Sequence, residues 1–376
     1  MPPVVIDVAK AEDLRDVVHR TVQALVEGKL IALPTETVYG LAASACCPEA
    51  IERLAAAKGR APDAPFALAI KGADEAEDYS PRLGPLARRL ARRCWPGPVT
   101  LVIEADQQGL LGQLPESARK YVCPNGTVGL RAPANRVVQD VLRMLAGPIA
   151  LTSANLSGQP DATRASEVVE AVGDKVALVL DDGPAHYGQA SSVAMVSGTG
   201  LRVLREGVVG EATLQRLARY LVVMVCTGNT CRSPMAEGLM RRALAKRLGC
   251  GDDELEEHGV VVASAGLAAA TGSPPSPETV TLMAEQGIDL GAHAAQQLTD
   301  QLARHADTMV TMTRGHRQAI VDHWPAAAPR TKLLIDSGDV ADPIGGPLEV
   351  YRRCAEQIAA GVDRHADQIA TELKGA

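Results

Sequence analysis

The sequence predicts an α/β protein of two domains, residues 1–214 and 215–376. Three observations carry this. A chain of 376 residues, 46% of them hydrophobic, is too long for one ordinary core. Up to Gly210, apolar runs of strand length, bounded by Gly, Pro and polar residues, are interspersed with helix-period segments. Beyond Gly210 strands and helices alternate, the pattern of a parallel sheet covered on both faces, a three-layer α/β/α arrangement.

Residues 11–27 have helical spacing through Leu14, Val17, Val18, Thr21 and Leu25. "KLIALPTETVYGLAA" reads as two extended pieces around Pro34, and 48–58 reads as a helix. "PFALAI", "VTLVIEA", "TVGLRAP", "PIALTS" and "ALVLDD" read as short buried strands, with helices near 82–93 and 135–146. "SSVAMVSGTGLRVLREG" reads as a hairpin turning at Ser-Gly-Thr-Gly. In the second half the spacing predicts strands at 221–226, 259–264, 307–312 and 331–335. Helices are expected at 211–219, 233–248, 276–287, 314–322 and 348–373. No linker rich in Gly, Ser or Pro separates the halves, which points to a stiff junction.

The net charge of −7 argues against a broad electrostatic grip on nucleic acid or an anionic membrane. No window reaches the roughly 18 apolar residues of a membrane span, and "MPPVVIDVAK" lacks the features of a signal peptide. The eight cysteines show no disulfide framework, so free thiols in a reducing cytoplasm are expected. The histidines lack metal-ligand spacing and read as surface or satisfied core residues, so no protein metal site is expected.

The stretch "VVMVCTGNTCRSP" carries the chemistry of the second half. A buried strand runs into Cys226, a five-residue loop follows, and Arg232 stands where a helix begins. A strand-to-helix loop can turn its N–H groups inward, and a helix N-terminus adds positive potential, so an oxyanion such as phosphate fits there. Arg232 can clamp two phosphate oxygens. The same field favours a thiolate, making Cys226 the candidate nucleophile. Asp342, on the Gly/Pro-rich "DVADPIGGPLEVY", is the candidate proton donor for the leaving group.

Residues 221–373 resemble the low-molecular-weight protein tyrosine phosphatase family through "VCTGNTCRSPMAEGLM", "SAGL", "LMAEQGIDL" and "DPIGGPLEVYRRC". The resemblance implies a phosphocysteine intermediate on Cys226, with Thr227, Asn229 and Ser233 in the phosphate loop. It also implies that Cys231 can form a reversible disulfide with the nucleophile. Ile344 follows Asp342-Pro343 where tyrosine-directed members usually carry a ring, and "SAGLAAATGSPP" holds no ring. Thr230 resembles the protein-arginine-phosphatase branch, so phosphoarginine in proteins is the favoured substrate and phosphotyrosine the alternative. Cys250 and Cys354 lie far apart in sequence, which argues against a cysteine relay for arsenate reduction.

The first half has no G-x4-G-K-[ST] loop, yet polar clusters mark its strand ends. They hold Thr35 and Thr37; Lys58 and Arg60; Thr127 and Arg131; Thr152, Ser153 and Asn155; and Arg205. Thr127 and Arg131 are four apart in a strand and share a face. Five such clusters suggest one concave, phosphate-friendly site.

Residues 4–210 resemble the YrdC-type threonylcarbamoyl-AMP synthase family through "PTETVYGL", "KGRxxDxP", "WPGPVTLV", "VGLRAP", "TSANLSG" and "LREG". The resemblance implies a YrdC-like twisted α/β sheet that combines L-threonine, bicarbonate and ATP, the latter with Mg²⁺. The product would be threonylcarbamoyl-AMP for N6-threonylcarbamoyladenosine in tRNA, with the threonylcarbamoyl-transfer machinery as a partner. By position, Thr35, Arg131 and Ser191 would contact threonine. Lys58, Arg60, Thr127, Ser153, Asn155 and Arg205 would contact ATP. The sequence departs from the family at Asn135, Ala69 and "SSVAMV". The alternative is that this half only binds nucleotide or RNA and regulates the other.

Overall fold

The structure, a computed structural model, describes residues 2–59, 64–336 and 338–375. It divides into two compact units, Met1–Leu217 and Ala218–Ala376.

The first unit is built on a mixed sheet of ten strands. These are β1 (Val4–Asp7), β2 (Ile31–Leu33), β3 (Gly40–Ser44), β4 (Ala67–Ala69) and β5 (Val99–Glu104). They continue as β6 (Thr127–Arg131), β7 (Ile149–Ser153), β8 (Leu178–Asp181), β9 (Ser192–Ser197) and β10 (Gly200–Arg205). Their order is β1-β8-β2-β3-β7-β4-β6-β5-β9-β10. The strands around Pro34 pair antiparallel, Ile31 against Ala42. The β9–β10 hairpin turns at the expected Ser-Gly-Thr-Gly, with Ser197 paired to Gly200 and Gly198 and Thr199 as the two central residues. Gly198 has φ +55°, which a glycine adopts without a Cβ penalty.

Helices Leu14–Val26 and Arg136–Met144 bury one apolar stripe each against this sheet. Val17, Val18, Leu25, Val138 and Val141 meet Ile31, Leu33, Ile149 and Leu180 in one core. Each such side chain stabilises the fold by about 1.5–3 kcal/mol relative to leaving it exposed. Helix Pro48–Lys58 starts on a proline, whose missing donor is not needed there, and ends on Gly59 with φ +60°. That left-handed stop leaves Lys58 as the last helical residue.

The second unit is a parallel sheet of four strands in the order β12-β11-β13-β14. They are β11 (Tyr220–Cys226), β12 (Val260–Gly266), β13 (Thr308–Thr311) and β14 (Thr331–Leu333). Side chains alternate along β11 between two cores. Val222, Met224 and Cys226 join the core containing Met235 and Met240 of helix Arg232–Leu248 and Ile358 and Val362 of helix Leu348–Gly375. Val223 and Val225 join the opposite core with Ala303 and Ile320. Both faces of the sheet are thus buried, which is the three-layer arrangement. Among the described residues no helix is long and apolar enough to cross a membrane.

Candidate active sites

The first unit carries a cleft of about 700 Å³. Thr35, Lys58, Thr127, Arg131, Ser153, Asn155, Ser191 and Arg205 all line it. Arg60 lies outside the described residues.

Lys58 is only 6% exposed. Its Nζ donates to Ser153 O at 2.9 Å, Ser153 Oγ at 3.1 Å and Asn155 O at 2.7 Å, and also to Asn155 Oδ1. A buried ammonium needs such acceptors, and the turn after β7 supplies them. Arg131, also 6% exposed, ends β6. It donates to Glu36 Oε1 at 2.7 Å and to Thr37 Oγ1 at 2.9 Å. Glu36 Oε2 accepts from Ala134 N at 2.8 Å, so one carboxylate ties its own turn to both the end of β6 and the residues just after it. Thr35 Oγ1 lies 2.8 Å from Thr37 Oγ1 and donates to Val38 O at 2.6 Å.

Arg205 Nη2 donates to Ser191 O at 2.8 Å, and Ser191 Oγ lies 3.2 Å from Thr100 Oγ1. Burial holds the Arg205 guanidinium below its ordinary value, with Asp161 opposing that shift and Arg131 adding to it. Gly207 makes this corner possible. A Cβ there would lie 2.2 Å from Ala190 O and 2.6 Å from Ser192 N. The cleft gathers three cations, Lys58 and Arg131 buried and Arg205 exposed, and among its described lining residues the sole carboxylate is Asp161. Such a surface favours a polyanion.

In the second unit Cys226, 3% exposed, ends β11. Its Sγ accepts from Asn229 N at 3.2 Å and lies 3.0 Å from Ser233 Oγ. Among the described residues the backbone amides of Gly228, Thr230 and Cys231 make no hydrogen bond to the protein. Asn229 has φ +56° and is the sole described non-glycine residue with positive φ. Asparagine tolerates this left-handed geometry, which costs roughly 1–2 kcal/mol for other side chains. Three bonds hold it there. Nδ2 donates to Ser233 Oγ at 2.9 Å and Ser264 Oγ at 2.8 Å, and Oδ1 accepts from Gln296 N at 2.8 Å. Gly266 lets the loop lie against β12, since a Cβ there would meet Thr227 O at 2.4 Å and Asn229 N at 3.0 Å.

Arg232 is 5% exposed, donates to Val340 O at 3.2 Å and forms an ion pair with Asp342 Oδ2. Thr227 Oγ1 lies 2.8 Å from His316 Nε2. Cys231 Sγ lies 3.6 Å from the Tyr351 hydroxyl, and Thr230 Oγ1 lies 3.7 Å from Cys231 Sγ. The residues from Cys226 to Ser233 therefore form one loop-and-helix turn, and Asp342 stands directly against it through Arg232. Cys354, remote in sequence, packs with its Sγ 3.6 Å from Ala341 O, and burial pushes its thiol up to about 12. A thiol held protonated in this way is inert at neutral pH.

Comparison with known proteins divides the chain at the same place. A family model for Sua5/YciO/YrdC, described as telomere recombination, matches residues 23–207. A model described as low molecular weight phosphotyrosine protein phosphatase matches residues 221–375. A putative threonylcarbamoyl-AMP synthase of Mycobacterium tuberculosis is 34% identical over 58% of this chain and 94% of its own length. The protein-arginine-phosphatase of Geobacillus stearothermophilus is 39% identical over 41% of this chain and 98% of its own length. The chain belongs to both families. It is a threonylcarbamoyl-AMP synthase domain joined to a low-molecular-weight phosphatase domain. In fold, the chain resembles Pyrococcus abyssi Sua5 complexed with L-threonine, with TM-score 0.52 and 20% identity, over 96% of this chain and 98% of that one.

The sequence reading overlooked several residues of both domains. In the synthase domain these are Glu36, the partner of Arg131, and Thr100, the partner of Ser191. Nothing local announces a bond between residues 95 apart. In the phosphatase domain they are Ser264, Gln296 and His316. Ser264 stands in the quoted "SAGL", so the motif held the signal without the role.

Proposed function

We propose that the synthase domain makes threonylcarbamoyl-AMP and pyrophosphate from L-threonine, bicarbonate and ATP, for the N6-threonylcarbamoyl modification of tRNA adenosine. The cationic cleft carries this reading. Threonine's amine and bicarbonate give a carbamate with loss of water. A carbamate oxygen then attacks the α-phosphorus, and the bond to the bridging oxygen of pyrophosphate breaks. Charge crowds on the phosphates in that step, and fixed cations stabilise it. Lys58, Ser153, Asn155, Thr127 and Arg205 serve the nucleotide, a role Arg60 shares by its place in the sequence motif, while Arg131, Thr35 and Ser191 hold threonine. Mg²⁺ enters on the triphosphate. Asp161 is the carboxylate among the described residues that line the cleft.

Glu36 orients the guanidinium that would meet the threonine carboxylate. Glu36→Gln removes the charged acceptor while keeping the shape. Its expected effect is a KM for threonine raised about tenfold, the worth of one charge-assisted hydrogen bond, with kcat within about threefold. Steady-state pyrophosphate release at varied threonine checks this.

The phosphatase domain, in the same reading, hydrolyses phosphorylated protein side chains. Cys226 Sγ attacks phosphorus, the bond to the leaving nitrogen or oxygen breaks, and Asp342 gives that atom a proton. Water then attacks the phosphocysteine, Asp342 takes its proton, and phosphate leaves. Arg232 and the loop amides hold the phosphoryl oxygens. Phosphoarginine is the favoured substrate. Ile344, 69% exposed beside Asp342, and the ringless loop of residues 264–275 support this. Each lost ring contact weakens a phenyl group by about 0.5–1.5 kcal/mol. The expected kcat/KM for phosphoarginine therefore exceeds that for phosphotyrosine by at least about fivefold, since two such contacts are missing. A reversed ratio assigns the domain to phosphotyrosine.

A further inference from the structure

His316 has no part in the phosphoryl transfer set out above, yet it touches the loop that carries it out. It lies in the first turn of helix Arg314–His323, where its amide donates to the Thr313 cap at 3.1 Å. The residue is 8% exposed. Its Nε2 lies 2.8 Å from Thr227 Oγ1, while its Nδ1 is buried and has no hydrogen-bond partner among the described residues. Burial lowers its pKa below the ordinary histidine value, Arg232 lowers it further, and Asp342 and Asp339 oppose the shift. The ring is therefore neutral at neutral pH and carries one proton.

The two places for that proton are unequal. On Nδ1 it would be a buried donor without an acceptor, a worse outcome than the bare Nδ1 acceptor that the other tautomer leaves. On Nε2 it would be donated to Thr227 Oγ1, 2.8 Å away. The threonine hydroxyl then has its own proton left to give. Thr227 directly follows the nucleophile and is exposed, so the contact does nothing for the core. On its backbone side the same residue is fixed by the turn that follows β12, with Thr227 O accepting from Ala268 N at 2.9 Å.

We propose that His316 is a positioning residue of the phosphatase domain: with its proton on Nε2 it fixes the Thr227 hydroxyl, and through it the first turn of the nucleophile loop, for a phosphoryl oxygen. This rests on the phosphatase reading. His316 acts through Thr227 and meets no substrate atom.

The test uses the full chain with p-nitrophenyl phosphate for turnover and tungstate for oxyanion binding. His316→Ala, His316→Gln, Thr227→Val and the double variant His316→Ala/Thr227→Val are compared with the natural protein. His316→Ala and Thr227→Val are each expected to lower kcat about tenfold and weaken tungstate about tenfold, with KM within about threefold. The double variant is expected to be no worse than either single one, because both break the same link. Glutamine places an N–H near the imidazole Nε2 and is expected to restore most of the loss. Losses that multiply in the double variant overturn the proposal. So does a Thr227→Val protein with unaltered kcat and tungstate affinity, or a folded His316→Gln protein as poor as the alanine variant. If His316→Ala fails to fold, the glutamine and valine variants decide alone. A natural protein that binds tungstate but hydrolyses neither p-nitrophenyl phosphate nor phosphoarginine defeats the phosphatase reading, and the tungstate comparison still decides the role of His316.

Discussion

Replacing Cys226 by serine is expected to abolish phosphatase turnover, by at least about 10³-fold, while leaving pyrophosphate release by the synthase domain intact. The sulfur sits 3.0 Å from Ser233 Oγ and 3.2 Å from Asn229 N, so the loop is arranged around one atom. Serine keeps the loop's shape and its anion-binding amides. It supplies an alcohol, a far poorer nucleophile at neutral pH than a thiolate. Tungstate binding is expected to persist, which separates lost chemistry from lost folding. Parallel assays of phosphate and pyrophosphate release on one preparation check both halves. Loss of both activities would mean that the domains depend on each other catalytically.

The second large effect is at Lys58. Lys58→Met is expected to lower ATP-dependent pyrophosphate release by at least about 10²-fold, since one fixed charge at a transferring phosphoryl group is worth roughly 2.7–4 kcal/mol. Methionine fills the space of the stem but leaves the acceptors around Ser153 and Asn155 without their shared donor. Among the described residues the turn after β7 then keeps only the backbone bond from Ser157 N to residue 58 O, at 3.3 Å, as its tie to helix Pro48–Lys58. Release that requires both threonine and bicarbonate in the natural protein, and is lost in this variant, rules out a domain that merely binds nucleotide. The phosphatase reaction of the same variant is expected to be unchanged.

The strands that position the sites were legible because burial writes itself into short apolar runs. β3, β5, β6 and β7 are all of this kind, and so is β11. β1 was not legible. It has four residues, none of them buried, and its place is set by pairing with β8, a partner remote in sequence. Helix Ala165–Val172 and helix Asp300–His305 escaped for a similar reason, being short and bracketed by polar residues. The chemistry was legible where it stands contiguously, as in residues 226–233. It was hidden where a supporting group arrives from elsewhere, as with Glu36 behind Arg131 or Gln296 behind Asn229. Periodicity describes faces, and it is silent about which turn a distant side chain will brace. His316 shows the other limit. A scattered histidine reads as a core residue, and the core position it occupies happens to border the nucleophile loop.

Two atoms that are absent by design bear on how this protein can vary. A methyl group at Gly266 would strike the carbonyl of Thr227, and one at Gly207 would strike the carbonyl of Ala190. In both places the obstacle is backbone, which cannot rotate out of the way. Each domain thus has a site of fragility that meets no reactant and carries no functional group. Drift at these two glycines would silence an activity as surely as loss of the thiol or the ammonium, and an inventory of reactive side chains would never point to them.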